Sequence, residues 1–340
     1  FKADRYDWRN ENVARNWATA YDFPAVREGK VILEEFAIRS QGVMQAFVFN
    51  LRRPKFQDER VRRAFNLAFD FEDINRALFF GAYERVNSFF HGTELASSGL
   101  PEGLEREILE SVKDKVPPEV FTTPYANPVN GGNERVRANL RDAVRLLQEA
   151  GYELRGRNMV SKATGEPLSV EILGFDPSLE RYALPYKQAL ERIGITVTVR
   201  LVDAAQYQNR SRSFDFDVIP GVWGQSLAPG NEQRDYWGSI SADRPGSRNL
   251  AGIKNPAVDA LIERIVFAKN REELVAATKA LDRVLLHNNY VVPQWTYRFS
   301  RTARWNRYSR PERMPPYAAS AFPTIWWFDE AKAAKTGAPR

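Results

Sequence analysis

The sequence predicts an α/β fold in which a mixed sheet is flanked by helices. Two stretches carry the prediction. From Phe47 to Asp70 a strand runs through a proline-containing turn into a capped amphipathic helix. From Leu168 to Leu201 a strand, a helix and a second strand follow in a clean β-α-β unit. A right-handed crossover between two parallel strands is the expected geometry there. With 340 residues the chain can bury a sizeable core, as one large or two ordinary domains.

The elements follow from spacing and punctuation. Residues 8–20 read as a helix that Asp22-Phe23-Pro24 ends. Val31–Glu35 and Gln45–Asn50 read as strands. Asp58 is placed to cap the next helix by accepting from free N–H groups of its first turn. Val61, Ala64, Phe65, Ala68 and Phe69 recur at helical spacing and form its buried face, with Arg60, Arg62 and Arg63 mostly on the other side. A short helix over Phe71–Phe80 stops at Gly81. Residues 87–133 are broken by glycines and prolines and hold one helix, over 103–114. The stretch is too long for a simple connector. Glu134–Ala150 is a strong helix, Leu179–Ile193 the crossover helix, and Ala204–Arg212 a short helix. A strand over Phe216–Pro220 precedes a Gly-rich loop, Gly221 to Gln233. Two helices, Asn255–Ala268 and Arg271–His287, lead to a strand at Val291-Val292-Pro293.

Composition excludes more than it selects. There is no cysteine, so neither disulfides nor thiol chemistry is available. The longest uncharged apolar-looking stretch, Met314–Phe328, carries Pro315, Pro316 and Pro323 and is too short to span a bilayer. His91 and His287 lack metal-ligand spacing, and no phosphate-binding or dinucleotide glycine motif is present. No cofactor is expected. Net charge is +6. Six arginines recur every third residue from Arg298 to Arg313, opposed only by Glu312. A three-residue period lines one face of neither a strand nor a helix. These arginines are therefore expected to face solvent or meet carboxylates singly, and no nucleic-acid partner is expected. A polyanion site on this segment is the alternative, and steep salt dependence would reveal it.

Gly224-Gln-Ser226-Leu-Ala228 lies near a strand end, as a serine nucleophile does, but Pro229-Gly230 blocks the helix that such an elbow needs. A hydrolase at Ser226 is the lesser alternative. The stretch reads better as a binding loop at the carboxyl end of a strand. Gly221 and Gly224 allow close approach to the main chain. Trp223 walls an apolar pocket or belongs to the core, as does Trp237.

The order of residue types in 47–70 resembles the signature of the family 5 extracellular solute-binding proteins, the peptide and nickel receptors of ABC importers. The matching positions are Asn50, Pro54, Phe56, Asp58, Arg60, Val61, Arg62, Ala64 and Asp70. Leu146-Leu147 with Ala150-Gly151-Tyr152 resembles a second landmark, and Asn255, Pro256, Val258, Asp259, Leu261 and Ile262 a third. Tyr21-Asp22-Phe23-Pro24, Asn87 to Phe90 and Pro229 to Gln233 resemble the oligopeptide and microcin C-type uptake branch.

The resemblance implies a periplasmic binding protein-like fold of type II, peptide-binding class. It implies a periplasmic receptor without enzymatic activity. Such a receptor closes on a peptide or peptide-like small molecule between two lobes and delivers it to an importer permease in the inner membrane. Trp223, Gly224, Gln225, Ser226, Asn231, Gln233 and Trp295 are the ligand-binding candidates on this reading. The family's Asp for a peptide α-amino group is not found after the Gly-x-Trp segment, and Glu232 and Asp235 are the nearby acids. The resemblance also implies a first lobe ahead of Asn50, so the chain is expected to be a C-terminal portion lacking its N-terminal lobe. Residues 1–19 and 294–328 are then segments of the first lobe, 20–293 the second α/β lobe, and 329–340 a tail. The aromatics Trp8, Trp17, Trp295, Tyr297, Trp326 and Trp327 are expected to be left partly uncovered.

Overall fold

A computed structural model describes residues 1–39, 42–315 and 317–337. Its strands, in chain order, include β1 (Trp8–Asn10), β2 (Val31–Ala37), β3 (Gly42–Phe49), β4 (Ser169–Gly174), β5 (Thr196–Leu201), β6 (Val218–Gln225), β7 (Val291–Pro293) and β8 (Phe299–Trp305). Its helices include α1 (Glu59–Leu67), α2 (Asn133–Glu149), α3 (Ser178–Glu191), α4 (Pro256–Val266) and α5 (Arg271–His287). The chain divides into two compact units. One comprises Phe1–Gln41, Asn75–Glu84 and Tyr297–Arg340, here the terminal unit. The other comprises Gly42–Ile74 and Arg85–Thr296, here the central unit. Residues 20–41 and 75–84 thus group with the chain ends. One reason is that β2 pairs antiparallel with β8 over its whole length, from Val31↔Trp305 to Ala37↔Phe299.

The central unit is built on a five-stranded mixed sheet of order β7-β3-β6-β4-β5. The expected β-α-β unit is present: β4 and β5 run parallel from Ser169↔Thr196 to Gly174↔Leu201, with α3 between them in sequence. β6 continues five residues beyond its expected end at Pro220. It pairs antiparallel with β3 from Gly42↔Gln225 to Phe49↔Val218. Asn50, fully buried, fixes this register. Its amide donates to the carbonyls of Phe214 (2.9 Å) and Phe216 (2.8 Å), and its oxygen accepts from the Arg52 backbone N–H and Nη1.

Asp58 caps α1 as expected, accepting from the Arg60 N–H at 2.8 Å. Arg62 departs from expectation. It is buried on the apolar side, and its guanidinium donates to the carbonyls of Phe56, Gln57 and Asn288. A buried cation is tolerated when its donors are met in this way. The Gly- and Pro-rich stretch before α2 is ordered by α5. The Asp282 carboxylate, buried, accepts from Ser88 Oγ, the Phe89 N–H, and the N–H and Oγ of Ser97. The neighbouring Arg283 pairs with Glu105 at 2.8 Å and donates to the carbonyls of Ser98 and Gly99. Two adjacent side chains of one helix therefore hold a segment that has little regular structure of its own.

The terminal unit holds the antiparallel sheet β1-β8-β2. Trp8–Asn10, expected in a helix, is strand here because β1 pairs with β8 from Trp8↔Arg304 to Asn10↔Thr302; helix begins only at Ala14. The arginine segment also differs from expectation. Arg301, Arg304 and Arg307 are buried rather than facing solvent. Arg307 meets two carboxylates, Asp4 and Asp7, and Arg304 and Arg310 share Glu34. Arg304 and Arg310 also lie over the Trp326 ring, 4.9 and 5.0 Å from its centroid. Within β8 the three-residue period puts Arg301 and Arg304 on opposite faces, Arg301 over the Tyr83 ring and Arg304 against Glu34 and Trp326. Tyr297 and Trp327 are exposed, whereas Trp8, Trp17 and Trp326 are half-buried and Trp295, in the central unit, is buried.

Two outcomes follow from these contacts. Replacing Asn50 by Ala leaves two buried carbonyls without their donor and should cost about 3 kcal/mol in urea unfolding. The second concerns His287, whose buried ring is pushed down to about 4 by burial, then by Arg283 and, least, by Arg63, with Glu119 opposing more strongly than Arg63 acts. The unfolded chain then binds the proton more readily between pH 6.5 and 4, so stability falls as pH drops through that window. His287→Phe should flatten that part of the profile, by about 3 kcal/mol in the difference between the two proteins. Parallel profiles would contradict the assignment.

Candidate functional site

The carboxyl end of β6 is set by strict alternation. Gly221, Trp223 and Gln225 point inward, and Val222, Gly224 and Ser226 are exposed. The register places Val222 opposite Gln45 and Gly224 opposite Val43, both half-buried. Period-two geometry puts these four on one face of the sheet, with Phe47 and Phe49 further along β3. There α1 and α3 cover Phe47 and Phe49, through rings such as Phe65 and Tyr186. Beyond their reach the strip Val222-Gly224 is uncovered. Val222 is 50% exposed, and a Cβ added at Gly224 would meet nothing within 4 Å.

The predicted site residues divide between the two faces. Trp223 is core. Its side chain is fully buried against Trp237 (4.8 Å between centroids) and Phe89 (6.3 Å), and its indole N–H donates to the Arg248 carbonyl at 3.2 Å. Gln225 and Gln233 are buried and bonded to one another at 2.7 Å, and the Trp237 indole donates to Gln233 Oε1 at 2.9 Å. These groups brace the strip from behind. Gly224, Ser226 and Asn231 are exposed. Ser226 Oγ accepts from the Ala228 N–H, and Asn231 Oδ1 accepts from Arg234. Trp295 belongs to a different aromatic group, on the Phe47 side: its ring lies 4.9 Å from Tyr182, which lies 5.6 Å from Phe47. The loop expected over Gly221–Gln233 is therefore strand to Gln225 and helix from Glu232.

Three residues on the open face escaped sequence reasoning: Gln45, Tyr182 and Val222. The only signal for Val222 was alternation along β6, which extends beyond the expected strand end; Gln45 on β3 and Tyr182 on α3 carried none. Gln45 Nε2 donates to Gln294 Oε1 at 3.1 Å, just before Trp295. Burial pushes the Tyr182 hydroxyl up, so it stays neutral. The nearby acids are occupied. Glu232 accepts from the Gly230 N–H and Gln233, and Asp235 accepts from the Arg248 N–H and Arg244. Ser226 is followed by loop rather than helix, so the elbow geometry is not formed. Among the described residues no group of three or more His, Asp or Glu side chains is arranged to hold a metal ion. No described helix is long and apolar enough to cross a membrane.

The chain matches the family described as bacterial extracellular solute-binding proteins, family 5 (middle), over residues 1–243. It is 58% identical over 333 residues to the Sinorhizobium fredii protein y4wM, covering 97% of this chain and 50% of that protein. It is 56% identical over 333 residues to the probable peptide-binding protein YejA of Agrobacterium fabrum, covering 97% and 54%. The chain thus spans about half the length of the curated relatives it matches. Among solved structures it resembles the oligopeptide-binding protein AppA of Bacillus subtilis in complex with a nonapeptide. The TM-score is 0.68 at 17% identity, over 96% of this chain and 57% of that one. At that identity the likeness is one of fold, the type II periplasmic binding architecture.

The placement of Trp223 and Ser226 separates core from surface. Trp223→Ala should cost about 4 kcal/mol of stability, as large aromatic truncations in a packed core do. Ser226→Ala should change stability by less than about 0.5 kcal/mol, as exposed substitutions do. Thermal unfolding of the two variants, side by side, checks both.

Proposed function

The chain belongs to the family 5 bacterial extracellular solute-binding proteins, and on that premise we propose that its central unit receives a peptide-like solute on the open strip of β6. The observation that carries the reading is the open face at Gly224, where nothing lies within 4 Å of the position a side chain would take, beside Val222, whose carbonyl accepts from the Arg248 guanidinium. A peptide brings a repeating donor and acceptor and is recognised through backbone at a strand. β6 has such backbone to give at Gly224, since its pairing with β4 is limited to Ile172↔Val218 while its ladder with β3 runs on to Gln225; the Val222 carbonyl is held by Arg248. Tyr182 and Trp295 supply an apolar wall on the same side of the sheet. Pockets of this kind combine apolar lining with a few fixed polar groups.

The name of the Agrobacterium fabrum relative, a probable peptide-binding protein, agrees with this chemistry. In this reading no bond is broken, and the protein works in the periplasm and hands its solute to an ABC importer permease in the inner membrane. Binding residues are Gly224, Ser226 and Trp295 with Gln45, Tyr182 and Val222, while Trp223, Gln225 and Gln233 hold the strip from beneath. Polyanion binding through Arg298–Arg313 is disfavoured because three of its arginines are buried and paired or stacked.

Gly224→Leu tests the proposal. The backbone at Gly224 is not in the left-handed region and the space beside it is empty, so the fold should be unaffected. Calorimetric titration with a defined pool of short peptides should show binding weakened at least about tenfold by loss of access to the strand. Unchanged peptide affinity in a normally folded Gly224→Leu protein would reject the strip as the site.

A further inference from the structure

A separate cavity of about 200 Å³ lies in the central unit, between α1, the segment 119–128 and the end of α5. It does not involve β6 and is independent of the proposed solute site. Its walls follow from helix geometry. Glu59, Arg63 and Asn66 stand at i, i+4 and i+7 on α1 and so share a side of that helix. His287 closes α5, and the ring of Tyr125 meets the His287 ring edge-on at 5.8 Å. Glu119 and Arg63 are exposed at the mouth. Asn289 ties the two helices together by donating to Glu59 Oε1 (3.2 Å) and to the His287 carbonyl (3.1 Å).

The cavity is polar and unsatisfied. Among the described residues, Glu59, Glu119 and Arg63 form no ion pair, although the first and last have the i, i+4 spacing that favours one. Asn66 Oδ1 and His287 Nε2 have no hydrogen-bond partner, on side chains more than nine-tenths buried. Both atoms are out of reach of solvent; a turn of the imidazole presents His287, whereas Asn66 Nδ2 donates to the Val291 carbonyl at 3.0 Å and holds its amide in place. Such groups are costly to leave unmet in a protein interior. Burial raises the Glu59 carboxyl, against the smaller opposing pull of Arg62 and Arg63. His287 is neutral at pH 7 and so has an acceptor nitrogen. The unmet groups are therefore mostly acceptors, around a carboxylate, in a space fit for a molecule of a few heavy atoms.

We infer that this cavity is a second ligand site, for a small molecule bearing a primary ammonium that donates to Glu59 and His287. Arg63 at the mouth favours an occupant that also carries a carboxylate, such as a small amino acid. Glu119 supplies a further negative charge at the entrance.

The chain has two histidines, so histidine-selective ¹⁵N labelling gives a direct readout with His91 as internal reference. Methylammonium and glycine, titrated separately, should shift the His287 ring signals in a saturable way and leave those of His91 in place. Acetate should not. Glu59→Gln keeps an oxygen for Asn289 but removes the charge, and should weaken both amines about tenfold or more. An unperturbed His91 signal will show that this variant is folded. The proposal is overturned if neither amine gives a saturable shift at His287, if acetate acts as strongly, or if folded Glu59→Gln binds the amines as well as the original chain.

Discussion

Asn50 carries the constraint on which the central unit depends. Its amide donates to two carbonyls just before β6 and its oxygen accepts from Arg52, so both ends of one small side chain are used inside the core. This fixes where β6 starts against β3. Once that is set, period-two geometry decides the rest: Met44 and Trp223 face one way, Gln45 and Val222 the other. A slip of one residue would bury the open strip and expose the tryptophan. The position of the candidate site is thus determined some distance from the site itself, at the opposite end of the same strand pair.

The same economy recurs elsewhere. Asp282 and Arg283, consecutive on α5, hold the Gly- and Pro-rich segment by meeting its backbone and hydroxyl groups. Arg62 serves α1 and the turn after α5 through three carbonyls. In each case a buried polar group is retained because irregular backbone must find partners somewhere. In the terminal unit Arg304, Arg307 and Arg310 play this part with carboxylates and ring faces instead.

Much of this was legible in the residues. The cap at Asp58, the β-α-β unit and the two helices before β7 follow from spacing that local physics enforces. What was not legible depended on distant partners. Trp8–Asn10 is strand only because β8 lies beside it. β6 runs past Pro220 because β3 is long enough to pair with it, a fact that no window around Gly221 contains. Trp223 read as a pocket wall rather than as core, although a large aromatic beside glycine fits both. Only the side of the sheet it occupies decides between them. Tyr182 and Gln45 carried no local mark at all, and their role comes from where packing by α1 and α3 stops.

The central claim is that the uncovered strip of β6, backed by a rigid core, is where the solute meets the protein. Hydrogen–deuterium exchange on this chain, with and without a pool of short peptides, tests it most directly, because exchange reports each backbone segment separately. The account predicts slowed exchange concentrated in residues 43–45 and 222–227, with the amides around Asn50 already slow in both conditions. Protection confined to the terminal unit, or exchange in 222–227 that peptides leave unchanged while they bind, would contradict it.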